Sequence, residues 1–286
     1  PKSWEYIVIQ DYVGAETVTS LQQLMKQMED ADDYSLNGLG FKPHFQRSYP
    51  EDALASNVLG FVTRDGRGYF GIEEKYNDLL AGNPVQVWVP SDPNKATEIP
   101  RVPNGTTLVL TINRDLQAKV ENILDQALTK YGAENGAIIV MNPQNGEILA
   151  MSTTPRLDLN NYSNYFDLYD NGSQYNRSIG MAYEAGSVVK ILTMAAALDT
   201  GTVTPGTTYI DTGSIDVGGI TIYNWNREPW GQQDMTGCLQ HSLNVCMAWI
   251  STQMGPQSFY GYMERFGLGH PTGIDLSGEA MGRLKV

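Results

Sequence analysis

The chain has 286 residues, of which 41% are hydrophobic and 18% charged, and this composition excludes a disordered or fibrous protein. Its 19 basic and 32 acidic residues give a formal net charge of −13, without any cluster of Lys or Arg. Nucleic acid and anionic membrane surfaces are therefore not expected as main partners. No apolar run approaches the ~20 residues that span a bilayer, and the first residues lack the character of a signal peptide.

Residues 16–30 carry Val18, Leu21, Met25 and other apolar side chains at helical spacing, so they predict an amphipathic helix. Residues 53–62 form an apolar stretch that predicts a short buried element. Residues 69–82 predict a short helix that Gly82 ends. These elements favour a scaffolding role for the first part of the chain.

Four prolines between residues 90 and 103 indicate a boundary between two parts of the chain. Residues 1–104 are predicted to form a smaller, irregular module, and residues 105–286 the main domain. In the main domain, residues 106–112 alternate as in a strand, and Asn113 is the predicted cap of a helix that Gly132 ends. Two strand-like runs, 136–141 and 147–152, follow with a short turn between them and predict a hairpin. The expected fold class is α+β.

A helix of mostly apolar residues is predicted to start near Ser187 and to continue to Leu198. Ser187 and Lys190 are three positions apart, so a helix places the hydroxyl and the amine on one face, where a direct hydrogen bond between them is expected. Because residues 188–198 are apolar on every side, this helix should be buried in the middle of a domain. Burial lowers the pKa of a lysine, so Lys190 is the predicted base for a Ser187 nucleophile.

The two cysteines, Cys238 and Cys246, lie in what the pattern predicts to be one helix. In a helix, eight residues span roughly 12 Å, which is too far for a disulfide, so reduced core cysteines are expected. The three histidines, His44, His241 and His270, are scattered along the sequence. Neither a metal nor another cofactor is predicted.

A second polar pair occurs at Ser242-Leu243-Asn244, and S-x-x-K together with such a motif is typical of penicillin-binding proteins and class A β-lactamases. Further matching segments occur in order along most of the chain, so the sequence resembles a class B penicillin-binding protein. These segments are Arg47-Ser48-Tyr49-Pro50, Leu59-Gly60, Gly71-Ile72-Glu73, Leu110-Thr111-Ile112 with Leu116-Gln117, Asn142-Pro143 with residues 146–151, Asn176-Arg177, and stretches of residues 266–279.

The sequence also departs from the family pattern. Ala185 stands where the family usually has proline, and Val188-Val189 replaces the usual Thr-Phe. The third family motif, K-[ST]-G, is absent, since Lys285 is not followed by Ser/Thr-Gly. The expectation is a transpeptidase domain that is incomplete at its C-terminus. A membrane anchor would lie outside this chain.

The resemblance implies the β-lactamase-like penicillin-binding fold and D,D-transpeptidation of peptidoglycan. Ser187 would attack the D-Ala-D-Ala stem peptide, and Lys190 would accept the proton of its hydroxyl. Ser242 would carry a proton to the leaving group, Asn244 would hold Lys190 and the substrate amide, and the Ser187 N–H would be one oxyanion-hole donor. The resemblance further implies inhibition by β-lactam antibiotics, cell-wall synthesis partners such as a glycosyltransferase, and a location on the extracytoplasmic face of the bacterial membrane.

Two alternative functions stay open. A serine β-lactamase or a penicillin-sensing receptor domain shares the S-x-x-K start, although it would lack counterparts of residues 1–100. A non-catalytic cell-wall scaffold would keep the fold for protein contacts, although the presence of all four polar residues speaks against it. Labelling of Ser187 by penicillin separates an enzyme from a scaffold, and the rate of hydrolytic release separates a transpeptidase from a β-lactamase.

Overall fold

The computed structural model of the chain describes residues 7–36, 38–42, 45–82, 104–169 and 174–284. In chain order the helices are α1 (Ala15–Asp30), α2 (Ser56–Leu59), α3 (Gly71–Lys75), α4 (Asn77–Ala81), α5 (Arg114–Tyr131), α6 (Tyr165–Leu168), α7 (Arg177–Gly180), α8 (Val189–Asp199), α9 (Met235–Gln240), α10 (Asn244–Met254) and α11 (Pro256–Arg265). The described residues also include the 3₁₀ helices Leu159–Asn164 and Gly186–Val188. Among the described residues, no helix is both long and apolar enough to cross a bilayer.

The strands of the described residues form four antiparallel pairs. They are β1 (Phe61–Val62) with β2 (Gly68–Tyr69), β3 (Ala137–Met141) with β4 (Ile148–Thr153), β5 (Thr208–Asp211) with β8 (Gly231–Asp234), and β6 (Ser214–Val217) with β7 (Ile220–Tyr223). In the longest pair, Ala137 lies opposite Thr153, and the register shifts between Val140 and Met141. Helices and antiparallel strands occur together, as the predicted α+β class requires.

The elements predicted for the first part of the chain occur with changed boundaries. Helix α1 lies where it was predicted, but none of its residues is buried. The predicted helix at residues 69–82 is two short helices, α3 and α4, which meet at Tyr76. Gly82 follows α4 with a positive φ of 68°, as expected of a glycine at a helix end. The apolar stretch at 53–62 supplies α2 and β1, with Val58 and Phe61 buried.

The prediction of a strand at residues 106–112 needs correction. This segment is extended, but it belongs to none of the strand pairs of the described residues. Its alternate side chains Leu108, Leu110 and Ile112 pack against a buried cluster that includes Met151. Within the described residues, the period of two therefore reflects side-chain packing against this cluster.

Helix α5 and the hairpin that follows it confirm the sequence prediction. The side chain of Asn113 accepts a hydrogen bond from the Leu116 N–H at 3.0 Å, which caps α5. Gly132 ends the helix in the left-handed conformation. Val120 and Leu124 are buried, and α5 packs on β4.

Residues on both sides of the predicted domain boundary share a core. One cluster joins Tyr49 and Phe61 to Leu157 and other residues that follow the boundary. The Asn57 side-chain amide donates to the carbonyl of Tyr175 at 2.6 Å. Residues 83–103 lie outside the described residues, so the division near residue 104 stays a prediction.

A further cluster joins α8, α9 and α10, and it contains Met194, Ala197, Cys238 and Ile250. Helix α11 packs on both α8 and α10. The expectation that α8 is buried on every side is wrong for one face, because Ile191 is 65% exposed and Leu198 41%. An all-apolar helix shows no period, so its composition could not indicate which face lacks a neighbour in the described structure.

Candidate active site

Ser187 lies in the short 3₁₀ helix Gly186–Val188, which leads directly into α8. Gly186 opens this turn with φ of 63°, a conformation that glycine adopts without steric cost. The Ser187 side chain is exposed. The hydroxyl therefore lies at the N-terminal end of α8, where backbone N–H groups lack partners within the helix.

Lys190 is half-buried on the first turn of α8 and reaches the segment between α9 and α10. Its Nζ donates hydrogen bonds to the Ser242 carbonyl at 2.6 Å, the Ser242 Oγ at 3.0 Å and the Asn244 Oδ1 at 2.6 Å. An ammonium group has three N–H donors, so all three are used. The fold thus brings Lys190, Ser242 and Asn244 together although more than fifty residues separate the two motifs.

The backbone at Ser242 is in an unusual conformation. Its φ is 51°, in the left-handed region that residues with a Cβ seldom adopt. Its N–H donates to the Leu239 carbonyl at 3.0 Å, and the next side chain, Leu243, is completely buried. Strained residues of this kind persist where surrounding contacts fix them, and they cluster at functional sites. This conformation presents both the carbonyl and the hydroxyl of Ser242 to Lys190.

Cys238 and Cys246 form a disulfide, which corrects the expectation of two reduced cysteines. The predicted single helix is in fact α9 and α10 with a turn between them, so the two Cα atoms are 6.0 Å apart. A helix would have separated them by roughly 12 Å. The disulfide therefore links the two ends of the turn that carries Ser242 and Asn244, and both cysteines are buried.

The half-buried position of Lys190 lowers the pKa of its amine below the ordinary value, because removal from water disfavours the charged form. In the described part of the chain, no hydrogen bond joins the Ser187 hydroxyl to Lys190, in contrast to the expected direct contact. The three acceptors on Ser242 and Asn244 occupy the ammonium instead. Loss of one proton from Lys190 would release one of these bonds and leave a lone pair for a nearby hydroxyl.

Asn244 is fixed at both ends of its amide. Its Oδ1 accepts from Lys190, and its Nδ2 donates to the Tyr223 carbonyl at 2.9 Å. The sequence prediction missed this contact with the end of β7, and it also missed the neighbouring residue Asn224. No motif or period in the sequence singles out Tyr223 or Asn224, because their importance depends on which strand lies beside α10.

Comparison with known proteins gives the family of this chain. Residues 136–285 match the family model described as the penicillin-binding protein transpeptidase domain, and this match covers more than half of the chain. The chain belongs to the penicillin-binding protein transpeptidase family. The matched residues include the Ser187 and Lys190 motif and the segment with Ser242 and Asn244. The expected penicillin-binding fold is thereby confirmed.

Curated relatives point to the same class. The chain is 34% identical over 247 residues to the Bacillus subtilis stage V sporulation protein D, and the match covers 83% of this chain and 38% of that protein. It is 29% identical over 264 residues to the Escherichia coli peptidoglycan D,D-transpeptidase FtsI, covering 88% of this chain and 43% of that protein. These relatives confirm the class B penicillin-binding protein predicted from the sequence. The chain spans less than half the length of each.

Solved structures agree with this fold. The apo form of penicillin-binding protein 3 from Mycobacterium tuberculosis superposes with a TM-score of 0.72 at 30% identity, covering 84% of this chain and 51% of that chain. A second structure of that protein, with the same TM-score and identity, is a complex with ampicillin and covers 84% and 50% of the two chains. The fold around the candidate site is thus one in which a β-lactam complex has been solved.

Proposed function

We propose that the protein is a peptidoglycan D,D-transpeptidase that acts through an acyl-enzyme on Ser187. The observation that supports this proposal most directly is the set of three hydrogen bonds from Lys190 to Ser242 and Asn244. They unite the S-x-x-K and S-x-N segments of a chain that belongs to the penicillin-binding protein family. Several relatives carry the name peptidoglycan D,D-transpeptidase, as FtsI of Escherichia coli does.

In the proposed acylation, the Ser187 Oγ attacks the carbonyl carbon between the two terminal D-Ala residues of a stem peptide. Lys190 in its neutral form accepts the hydroxyl proton as the Oγ–C bond forms. The lowered pKa of Lys190 increases the neutral fraction near neutral pH. Negative charge on the carbonyl oxygen would be stabilised by the Ser187 N–H, which lies at the start of α8.

The leaving group is the amine of the last D-Ala. Collapse of the tetrahedral intermediate breaks the C–N bond, and this nitrogen takes a proton through the Ser242 hydroxyl. Ser242 can serve this role because its Oγ is 3.0 Å from the Lys190 Nζ and can relay the proton that Lys190 holds. An amine of a second stem peptide would then attack the ester and release Ser187 with a new amide cross-link.

Asn244 has a supporting role in this proposal. Its Oδ1 accepts from the Lys190 Nζ, and this contact fixes the direction of the amine. When Lys190 is neutral, it donates fewer hydrogen bonds, and the side-chain amide of Asn244 is then also available to the substrate backbone. A penicillin would follow the first half of the same path, since its strained amide presents a carbonyl carbon to Ser187. The ampicillin complex of the Mycobacterium tuberculosis relative supports this extension.

We further propose that the protein acts at the extracytoplasmic face of the bacterial cytoplasmic membrane, to which it is anchored, together with a cell-wall glycosyltransferase. The names of the relatives support a site of cell-wall synthesis. The Cys238–Cys246 disulfide adds independent support, because structural disulfides persist in oxidising compartments outside the cytoplasm.

The direct test is mass spectrometry of the full-length protein after incubation with a labelled penicillin. We expect one adduct, located on the peptide that contains Ser187, and none in the Ser187→Ala variant. Ser20→Ala is a matched control, since Ser20 is an exposed serine on α1 and should not affect labelling. An adduct that persists in Ser187→Ala would contradict the assignment of the nucleophile.

Release of the adduct then separates the alternative functions. A transpeptidase should hold the penicilloyl group for far longer than it takes to form, and it should join stem peptides when a donor and an acceptor peptide are supplied. Rapid hydrolytic release would instead indicate a β-lactamase. Absence of any adduct would indicate a scaffold that has retained the fold.

A further inference from the structure

A buried polar network lies behind the candidate active site. Its centre is Asp211 at the end of β5, which is 1% exposed, and Asn224 just after β7, which is 2% exposed. The Asp211 Oδ1 accepts from the Asn224 Nδ2 at 2.7 Å and from the backbone N–H groups of Gly213 and Trp230 at 3.0 and 3.2 Å. Burial of a carboxylate is costly unless hydrogen bonds compensate it. The three bonds to Oδ1 join the β5–β6 and β7–β8 connections, whereas Oδ2 is buried without a hydrogen-bond partner in the described structure.

Asn224 extends this network to α10. Its Oδ1 accepts a hydrogen bond from the Val245 N–H at 3.2 Å, in the first turn of that helix. The two ends of the Asn224 amide therefore face a carboxylate and an N–H, and only one orientation of the amide satisfies both. The preceding residue, Tyr223, accepts from the Asn244 Nδ2 through its carbonyl. Two consecutive residues of the strand end thus bind two consecutive residues of the helix start.

This contact replaces a missing helix cap. The first N–H groups of a helix need an acceptor, which a Ser, Thr, Asp or Asn at the N-cap position usually supplies. In α10 the N-cap residue is Leu243, whose side chain is apolar and completely buried in the core. Asn224 supplies the acceptor from another element instead. The position of the first turn of α10 therefore depends on Asn224 as well as on its own sequence.

The first turn of α10 carries Asn244, whose Oδ1 lies 2.6 Å from the Lys190 Nζ. We infer that Asn224, oriented by the buried Asp211, is a positioning residue that sets the place of Asn244 against Lys190. This inference rests on the proposed function, because it assigns Asn224 a part in the same acylation step. Asn224 would not touch the substrate. It would act through the helix start and through the Tyr223 carbonyl.

The test compares Asn224→Ala with the unchanged full-length protein in penicillin acylation, with separate measurement of the binding constant and the acylation rate constant. We expect the rate constant to fall roughly ten- to hundredfold, the range found when groups that orient metal ligands are removed. Binding should change much less, because Asn224 does not face the ligand.

Asn226→Ala is the matched control. Asn226 lies in the same loop, and its side chain accepts from the Glu228 N–H and the Trp230 indole without reaching α10. Its replacement should leave the acylation rate constant within about twofold, as expected for a change that does not alter transition-state contacts. An equal loss of rate in both variants would overturn the inference, because it would show a general effect of loop stability.

A double-mutant cycle with Asn244→Ala distinguishes positioning from general destabilisation. If Asn224 acts through Asn244, Asn224→Ala should cost little further rate once Asn244 has been replaced. Additive losses would overturn the inference. Should Asn224→Ala not fold, Asn224→Ser takes its place in the same cycle. Failure of the unchanged protein to acylate at Ser187 would refute the proposed function itself, whereas normal acylation by Asn224→Ala would refute only this inference.

Discussion

Two polar clusters of this protein use similar side chains but differ in how completely they are closed. The first, here called the Asn57 cluster, comprises Asn57, Gln117, Glu121 and Asn176, all of them buried. Gln117 uses both ends of its amide, since its Oε1 accepts from the Met151 N–H and its Nε2 donates to the Met151 carbonyl, each at 2.8 Å. Most contacts there join separate parts of the scaffold, as when the Ala55 N–H donates to the Glu121 carboxylate and the Asn176 amide donates to the Asn57 carbonyl.

The second, here called the Lys190 cluster, comprises Lys190, Ser242 and Asn244, all of them half-buried. It includes a strained backbone conformation at Ser242 and an amine whose pKa is lowered by burial. The exposed Ser187 lies one turn away. The Asn57 cluster is completely buried and its side chains are hydrogen-bonded, which gives rigidity. The Lys190 cluster is partly accessible to water and holds a proton that can be displaced, which allows chemistry. The two clusters should therefore respond differently to mutation.

The largest expected effect is on activity in the Lys190 cluster. Replacement of Lys190 by Ala in the full-length protein should lower the rate of penicillin acylation by roughly 10²–10⁴, the usual contribution of a positioned base. The melting temperature should change little, because the side chain is only half-buried. The measurement is the time course of labelling by mass spectrometry, with Lys119→Ala on the exposed face of α5 as the control. Unchanged labelling of Lys190→Ala would remove the base from the proposal.

The next effect concerns stability in the Asn57 cluster. The two N–H groups of the Asn57 amide are shared among three acceptors, which are the carbonyls of Pro155 and Tyr175 and the Tyr169 hydroxyl. Asn57→Ala should lower the free energy of unfolding by roughly 3 kcal/mol, because buried acceptors would lose their donor. Denaturant titration measures this loss, and Asn122→Ala at an exposed position of α5 is the control.

That variant also tests the comparison between the clusters. Well below its melting temperature, Asn57→Ala should acylate at the unchanged rate. A large loss of acylation rate would show that the two clusters are not separate in function.

A third effect should arise at the disulfide beneath the Lys190 cluster. Replacement of both Cys238 and Cys246 by Ala should lower the free energy of unfolding by about 2–3 kcal/mol, from the loop-closure entropy of a short loop. Denaturant titration with and without a reducing agent provides the measurement. The reductant should destabilise the unchanged protein and leave the double variant as it is. Equal sensitivity of both proteins to the reductant would show that the disulfide is not the cause.

The last prediction concerns the pH dependence of acylation, where each step of one pH unit has a smaller effect than the changes above. Lys190 must lose a proton to act as a base, so the acylation rate should rise by about tenfold per pH unit and level off where Lys190 has titrated. That pH should lie below the ordinary lysine value of 10.5, because burial lowers the pKa of Lys190. The free energy of unfolding should also rise with pH between the lowered pKa and 10.5, since in this window the unfolded chain binds a proton that the folded chain does not.

Initial labelling rates across this pH range provide the first measurement, and denaturant titrations provide the second. In the Lys190→Ala variant, neither the labelling rate nor the free energy of unfolding should show this rise with pH. A rate that continues to rise beyond pH 10.5 would contradict the lowered pKa.

Elements governed by short-range rules could be predicted from the sequence. Asn113 and Gly132 set the ends of α5, because a cap and a left-handed glycine act on the backbone next to them. The hairpin of β3 and β4 followed from two apolar runs and the turn between them. The motif residues Ser187, Lys190, Ser242 and Asn244 could be named from the sequence, since their spacing resembles that of a family to which the chain belongs.

Which of these residues meet, and what surrounds them, depends on long-range contacts in the folded chain. The turn between α9 and α10 brought Cys238 near Cys246, where the apolar pattern had indicated one helix. Lys190 donates its hydrogen bonds to Ser242 and Asn244, which together offer three acceptors to one ammonium group, and in the described structure none goes to Ser187. Asn224 caps a helix from another element, and one face of α8 is exposed. Such outcomes depend on contacts between distant segments, and local patterns in a sequence carry no information about which distant segment will be the neighbour.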